Sequence, residues 1–238
     1  METRTASGLS GAALKWIAVI SMFIDHAAAV LIEGSWSAGS AALSYNVYLA
    51  LRALGRLAFP IYCFLLAEGF RHTRDVRKYL LRLLLFGLTS ELPFDLAFNR
   101  SLWDLSYQNV YFTLVLGLAS VWAYSRVRQR VSSNSIPALL AAAPFVALAE
   151  LGRTDYGAWG AGLVLVLYLL RDREGWRNAA SALILFGASE LEVVGYVDFA
   201  LFHFYNGRRG RQPKYFFYVF YPAHLLLLVG LRYLLFRL

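Results

Sequence analysis

The residues that could do chemistry in this chain are polar side chains set within apolar runs. Asp25 and His26 are adjacent in the first run, Arg56 lies in the second, and His224 lies about ten residues into the last. An imidazole can act as a general base or as a nucleophile, and an arginine can stabilise a developing anion. Charged groups at bilayer depth cost at least ~2.5–3.5 kcal/mol each, so their presence predicts a functional role.

Further polar residues follow the same pattern. The topology deduced below places most of them in the outer half of the bilayer, which predicts a polar cavity open to the outer leaflet. The additional members of this outer set are Glu91, Asp95, Asn109, Asp155, Tyr156, Glu190 and Glu192. The alternative interpretation is a set of structural ion pairs that tie helices together, with Arg56 as the cation facing several carboxylates.

A second set of polar residues is basic and lies at the predicted cytoplasmic side. Its candidate phosphate-binding members are Arg74, Lys78, Arg82, Asn206, Arg208, Arg209 and Lys214. The last four belong to a loop that also contains Gly207 and Gly210, and such a loop can bring backbone N–H groups and arginine side chains close to phosphate. The alternative is that these charges only set the topology and bind anionic headgroups.

Other kinds of site are not predicted. The sequence has no Walker loop, no dinucleotide-binding glycine motif, no HExxH and no CxxC. Its single cysteine allows no intramolecular disulfide, and its four histidines are scattered, so no metal site is expected.

The elements that must position these residues are membrane helices. The chain has 238 residues, of which 59% are hydrophobic and only 16% charged. Soluble domains carry about 25% charged residues, so this composition excludes most soluble enzymes. The net charge of +8 could suggest nucleic acid, but the basic residues form short clusters between apolar runs, which is typical of cytoplasmic membrane loops.

We therefore predict an all-α, polytopic membrane bundle that forms a single domain over residues 1–238. The apolar runs are 13–32, 45–70, 79–98, 109–124, 136–151, 156–170, 179–205 and 215–236. Arg and Lys cluster after the second, fourth and sixth runs and before the last, so the N-terminus is predicted to be cytoplasmic. This orientation requires 179–205 to cross twice with a break near Gly195, giving about nine crossings (eight to ten), or to form a re-entrant pair.

Several motifs resemble the TraX family. They are LKWIAVISMFIDHAAAV (14–30), GRLAFPI (55–61), SELPFDL (90–96), NVYFTLVLGL (109–118), DYGAWG (155–160), FYNGRRG (204–210) and FYVFYPAHLLLL (217–228). They follow one another in order from about Leu14 to Leu231. One departure is that alanines follow the Asp-His pair where a glycine is common in the family.

The resemblance implies a multi-pass protein of the bacterial inner membrane that acts as an acyltransferase. TraX proteins are named for acetylation of a pilin N-terminus and are similar to transmembrane acyltransferases that use an intramembrane histidine. The expected donor is acetyl-CoA or another acyl-CoA on the cytoplasmic side. The acceptor stays open among a pilin N-terminus, a glycan, a lipid and a small amine, and the chain could form a homodimer.

The residue roles expected from this resemblance are as follows. His26 is the base or the nucleophile, Asp25 orients it or holds positive charge, and His224 is the competing base. Arg56 or Asn109 would stabilise the thioester oxyanion. Glu91, a further catalytic candidate, and Asp95 would bind a cationic or hydroxylated acceptor. Asp155, Tyr156 and Glu190 would complete the acceptor site. The basic set would hold the phosphates of coenzyme A.

Two other function classes remain open at this stage. A small proton-coupled transporter would also bury charged residues in a polar cavity. A non-catalytic membrane partner that accompanies pilins or lipids would not depend on His26.

Overall fold

All regular structure in the described residues is helical, as the composition predicts. The computed structural model describes residues 8–39, 44–131, 134–213 and 215–237. The α-helices are α1 (Gly11–Ala27), α2 (Glu33–Ser37), α3 (Tyr45–Gly55), α4 (Ala58–His72), α5 (Val76–Phe94), α6 (Val110–Arg128), α7 (Ile136–Leu151), α8 (Gly157–Leu169), α9 (Glu174–Ala188), α10 (Val197–His203) and α11 (Phe216–Phe236). Two π-helical turns, Ala28–Ile32 and Asp95–Asn99, and a 3₁₀ helix, Glu190–Tyr196, complete them.

Within the described ranges, four helical stretches are long and apolar enough to cross a membrane. They are Gly11–Ser37, Tyr45–His72, Val110–Arg128 and Phe216–Phe236. At 1.5 Å per residue, even the shortest approaches the ~30 Å hydrocarbon core of a bilayer. The chain is therefore a membrane protein, and each stretch coincides with a predicted span. The predicted break within 179–205 is present as the 3₁₀ helix Glu190–Tyr196 between α9 and α10.

The chain divides into two compact units, which are described separately. Unit 1 contains the described residues up to Tyr62, together with Leu92–Asp104 and the residues from Leu191 onward. Unit 2 contains Cys63–Glu91 and Leu105–Glu190. Helices α4 and α5 each begin in one unit and end in the other.

Unit 1 is organised around the continuous helical stretch Gly11–Ser37. Helix α11 runs parallel to it. Trp16 packs on Phe216 near the start of both helices, and Gly34 lies against Arg232 near the far end. Because the register is shared, residues that are equally far along the two helices can meet.

Helix α3 runs antiparallel to the same stretch. Ser21 donates its hydroxyl to the carbonyls of Leu54 and Gly55, whereas Glu33, further along, accepts from Tyr48 at the start of α3. Gly55 touches Asp25 so closely that a Cβ placed there would lie 2.2 Å from the Asp25 Cβ. This contact fixes how near α3 can approach α1.

The start of α1 is tied to the glycine-containing basic loop. Ser10 caps the helix by accepting from the Ala13 N–H at 3.2 Å. The N–H groups of Gly11 and Ala12 donate to the carbonyls of Arg208 and Arg209 at 2.8 and 2.9 Å. Donors that a helix start leaves without partners are thus satisfied by the loop, which holds the loop at this end of α1.

Unit 2 is a helical bundle in which α6 packs on α7 and α8, and α8 packs on α9. Gly117 on α6 allows close approach of α8, since a Cβ there would lie 2.9 Å from Val164. Helix α5 is capped by Asp75, and the hydrogen bond from the Lys78 backbone N–H to its carboxylate lowers the pKa of Asp75.

Replacing Gly55 with alanine should destabilise unit 1. The new methyl group would overlap Asp25, and overpacking of this kind typically costs about 1–3 kcal/mol, more than the helix propensity gained. The measurement is the midpoint of thermal unfolding in detergent. Gly162→Ala is the matched control, because nothing lies within 4 Å of a Cβ at that position. An equal midpoint for the two variants would contradict the close contact.

Candidate functional site

The centre of unit 1 holds two histidines in direct contact. His26 Nδ1 and His224 Nε2 are 2.7 Å apart, and the two imidazole planes are within 9° of parallel. His26 comes from α1 and His224 from α11, and the parallel arrangement of these helices brings the two rings to the same level. The sequence analysis treats these histidines as competing bases, whereas the structure makes them one pair.

The hydrogen bonds of the pair determine where the protons of two neutral rings lie. His224 Nδ1 lies 2.7 Å from the carbonyl oxygen of Phe220, which can only accept, so His224 carries its proton on Nδ1. Its Nε2 is then an acceptor, and His26 must donate from Nδ1. The second nitrogen of His26, Nε2, therefore has a free lone pair, and no residue in the described ranges donates a hydrogen bond to it.

Aromatic side chains enclose the pair. Phe220 stacks on His224 with ring centroids 4.6 Å apart. Phe98 and Tyr221 present their rings edge-on to His26 at 5.2 and 5.9 Å. His224 is buried, whereas His26 is half-buried. Of the two rings, His26 is the more exposed.

A network of four charged groups lies beside the histidines. Arg56 joins two carboxylates, with Nη2 2.9 Å from Asp25 and Nη1 3.0 Å from Glu192. Arg52 donates to the other Asp25 oxygen at 2.7 Å. Two cations therefore balance two anions. The Asp25 carboxylate pairs with Arg52 on α3 and with Arg56 just after that helix, rather than with a histidine.

Asp198 is a further buried acid in unit 1. It is fully buried on α10, and neither carboxylate oxygen has a hydrogen-bond partner among the described residues. Glu192 lies near enough for its charge to act on Asp198. Burial of an unpaired charge is costly, so a proton on Asp198 is the form that suits this environment.

Sequence reasoning missed Arg52 and Asp198 and chose Glu190 rather than Glu192 as a site residue. Arg52 could have been found, because it lies four residues before Arg56 and hence on the same helical face. The choice between the two glutamates depended on the 3₁₀ turn, which buries Glu192 and leaves Glu190 exposed.

Most of the other predicted site residues lie in unit 2, and those with hydrogen bonds find local partners there. Asn109 caps α6 and donates its amide to Glu91 and to the carbonyl of Gly87. Asp155 accepts from Tyr107 at 2.8 Å, and Tyr156 starts α8 with a left-handed backbone. These contacts are typical of helix ends.

Asp95 lies in unit 1 and organises a turn. It is fully buried and accepts from the Asn99 amide at 3.0 Å and from the Asp104 N–H at 2.9 Å. Arg232 of α11 donates to the adjacent carbonyls of Leu96 and Ala97. The two residues hold the π turn that carries Phe98 to the edge of His26.

The basic set divides between the two units. Arg74, Lys78 and Arg82 are exposed in unit 2, where Lys78 pairs with Asp75 at 3.5 Å and Arg82 packs over Tyr79. The predicted donor-site members in unit 1 are Asn206, Arg208 and Arg209, and Lys214 lies outside the described residues.

Asn206 has a clear structural role. Its amide donates to the Gly8 carbonyl, and its side-chain oxygen accepts from the Arg208 N–H at 2.9 Å. The side chains of Arg208 and Arg209 are exposed.

Comparison with known proteins assigns the family. The sequence model of the family described as TraX protein matches residues 10–232, which includes nearly all of both units. The chain belongs to the TraX family. A TraX-type relative from Dichelobacter nodosus, described as "Probable fimbrial assembly protein FimC, serogroup H1", is 33% identical over 249 aligned positions, covering 92% of this chain and 94% of the relative. No solved structure matches significantly.

Removing Arg56 should destabilise this TraX protein strongly. Arg56→Gln leaves Arg52 as one cation for two buried carboxylates and removes the cation that pairs with Glu192, and breaking such a pair costs about 3–5 kcal/mol. Thermal unfolding in detergent measures the effect. The exposed Lys78→Gln variant is the control and should unfold at the wild-type midpoint. Similar midpoints for Arg56→Gln and the wild type would show that the network does not stabilise unit 1.

Proposed function

We propose that this TraX protein is a membrane-embedded acyltransferase in which His26 is the general base. The donor is an acyl-CoA, and the acceptor is an amine or a hydroxyl group. The proposal rests on the direction of the hydrogen bond between His26 and His224. The Phe220 carbonyl fixes His224, His224 fixes His26, and the half-buried His26 presents a basic nitrogen.

The reaction follows from that nitrogen. The nitrogen or oxygen of the acceptor attacks the thioester carbonyl, and His26 Nε2 removes the proton from that attacking atom. The tetrahedral intermediate collapses, the carbon–sulfur bond breaks, and the thiolate of coenzyme A takes up the proton from His26. While His26 is positively charged, its Nδ1–H donates to the neutral Nε2 of His224 at 2.7 Å. This charge-assisted hydrogen bond stabilises the imidazolium.

Nucleophilic catalysis by the same nitrogen is the second route. Nε2 would attack the thioester and hold the acyl group until the acceptor takes it. The two routes differ in one observable, because only an acyl-histidine intermediate would label the protein when the donor is present without acceptor.

The arginines have a supporting role in this proposal. Arg56 uses Nη1 and Nη2 on carboxylates and Nε on the Arg52 carbonyl, so we assign it to positioning α1 against α3 rather than to the oxyanion. The Asp25 carboxylate is thereby held, and His26 next to it is held in turn through the backbone of α1.

The membrane orientation is part of the proposal. The positions of the basic clusters favour a cytoplasmic N-terminus in the bacterial inner membrane and nine crossings. Segment 191–206 supports this count. Glu192 lies level with Asp25, whereas Tyr205 and Asn206 lie beside Leu9, before α1 begins. The segment thus runs back along ~21 Å of α1, from the predicted outer half to the cytoplasmic end.

The relative supports a pilin-like acceptor as the first to examine. FimC is described as a fimbrial assembly protein. A pilin N-terminus offers an amine on the outer side of the membrane, which the proposed base can deprotonate. A glycan, a lipid headgroup or a small amine would satisfy the same chemistry.

A proton-coupled transporter is the second candidate, and Asp198 is the observation that favours it. A buried carboxyl group without a hydrogen-bond partner is the kind of residue that binds and releases protons in carriers. Uptake of a labelled solute into proteoliposomes, driven by a proton gradient and lost in Asp198→Asn, would favour transport over acyl transfer.

His26→Ala should lower acyl transfer by about 10²-fold or more, because general base catalysis contributes that much. The assay incubates membrane vesicles containing the protein with [¹⁴C]acetyl-CoA and counts label in the protein, lipid and soluble fractions. His224→Ala should also lower transfer, since His26 would lose the partner that sets its tautomer.

The exposed His203 provides the matched control, and His203→Ala should transfer at the wild-type rate. Transfer by His26→Ala at the wild-type rate would remove His26 from the catalytic role. Absence of label in the wild type above empty vesicles would contradict the acyltransferase itself.

A further inference from the structure

A group of cations lies at the start of α1. Lys15 lies in the first turns of α1 and is half-buried, and Arg208 and Arg209 are exposed on the loop tied to that helix start. In the described part of the chain, no carboxylate forms an ion pair with any of the three. Three unbalanced cations held together by the fold suit an anionic ligand.

The backbone places Lys15 directly above the loop. Gly11 and Ala12 bind the carbonyls of Arg208 and Arg209, and Lys15 lies four and three residues after them, one helical turn deeper on the same face. Arg209 lies near enough for its charge to act on Lys15. The Lys15 ammonium also lies 5.4 Å from the centre of the Phe217 ring, so the side chain points toward α11.

The loop is built to approach α1 this closely. Gly210 has a positive φ of 70°, and a Cβ there would lie 2.5 Å from Ser10 Oγ and 2.9 Å from the Ala12 Cβ. Glycine is required for both reasons, since any side chain would force the loop away from α1. The backbone of Arg208 and Arg209 is therefore held beside the first turn of α1.

Lys15 and His26 lie on the same face of α1. They are eleven residues apart, which is three turns and about 20° of rotation, and both contact α11, Lys15 at Phe217 and His26 at His224. Eleven residues rise about 16 Å along an α-helix. The pantetheine arm of coenzyme A reaches roughly 15–20 Å when extended. The spacing matches a ligand whose phosphates sit at Lys15 and whose thioester lies at His26.

We propose that Lys15, Arg208 and Arg209 form a phosphate-binding site at the start of α1 that holds the nucleotide end of the acyl donor. The identity of the donor rests on the proposed function, whereas the phosphate chemistry rests on the three cations. Lys15 supplies the half-buried positive charge of the site, and the two arginines supply its solvent-exposed positive charges. Asn206 supports the loop and does not contact the ligand.

The test uses the full chain in nanodiscs of neutral phosphatidylcholine, with acetyl-CoA titrated by calorimetry. Lys15→Met keeps the apolar stem that packs on Phe217 and removes the charge. Loss of one charge-assisted bond to phosphate should raise the Kd about tenfold or more. Arg209→Gln should act likewise, and Lys15→Arg should bind nearly as the wild type.

Arg126→Gln is the matched control. It removes one exposed arginine from the end of α6, in unit 2, and should leave the Kd unchanged. The titration measures acetyl-CoA binding in the absence of acceptor and without turnover, so it separates a failed phosphate site from a failed acyltransferase.

A second arm distinguishes the source of the phosphate. Native mass spectrometry counts phosphatidylglycerol molecules retained by each variant after extraction from mixed lipid. Retention that falls in Lys15→Met and Arg209→Gln, with acetyl-CoA binding absent or unaffected, would keep the phosphate site and assign it to a lipid headgroup. Unchanged acetyl-CoA affinity together with unchanged lipid retention in both variants would overturn the site.

Discussion

The hydrogen bond between His26 and His224 is the interaction on which the candidate site depends. It exists only because α1 and α11 are parallel and share a register, which the contacts at both ends of these helices maintain. The same bond, anchored at the Phe220 carbonyl, leaves one nitrogen of His26 as an acceptor. Packing of two helices thus determines the chemistry of one atom.

The charged network explains why α1 can carry an aspartate next to that histidine. A buried carboxylate is tolerated when its charge is balanced and its oxygens are hydrogen-bonded, and Arg52 and Arg56 do both for Asp25. Gly55 allows α3 to come near enough for this to happen. Glu192 extends the network to the broken segment that follows α9, so the break near Gly195 serves to bring a carboxylate to Arg56. Arg52 and Arg56 therefore fix the positions of α1, α3 and the segment with Glu192 around His26.

Sequence reasoning recovered the helical class, four of the predicted spans among the described residues, and the family, because each depends on composition, periodicity or motif. It also singled out Asp25, His26, Arg56 and His224, since polar residues within apolar runs are conspicuous. It could not pair His26 with His224, which are separated by 198 residues and meet only through the register of α1 and α11. It also missed Lys15, because a lysine near the end of a predicted span is usually explained by snorkelling to the interface.

The most direct test of the account is the tautomeric state of the histidine pair. The protein has four histidines, so uniform ¹⁵N-histidine labelling and solid-state NMR in lipid can resolve the ring nitrogens, with His26→Gln and His224→Gln used for assignment. We predict that both rings are neutral at pH 7.5, with protons on Nδ1 of His224 and Nδ1 of His26, and a lone pair on His26 Nε2. A proton on His26 Nε2 in place of Nδ1 would contradict it, because that nitrogen could then no longer serve as the base.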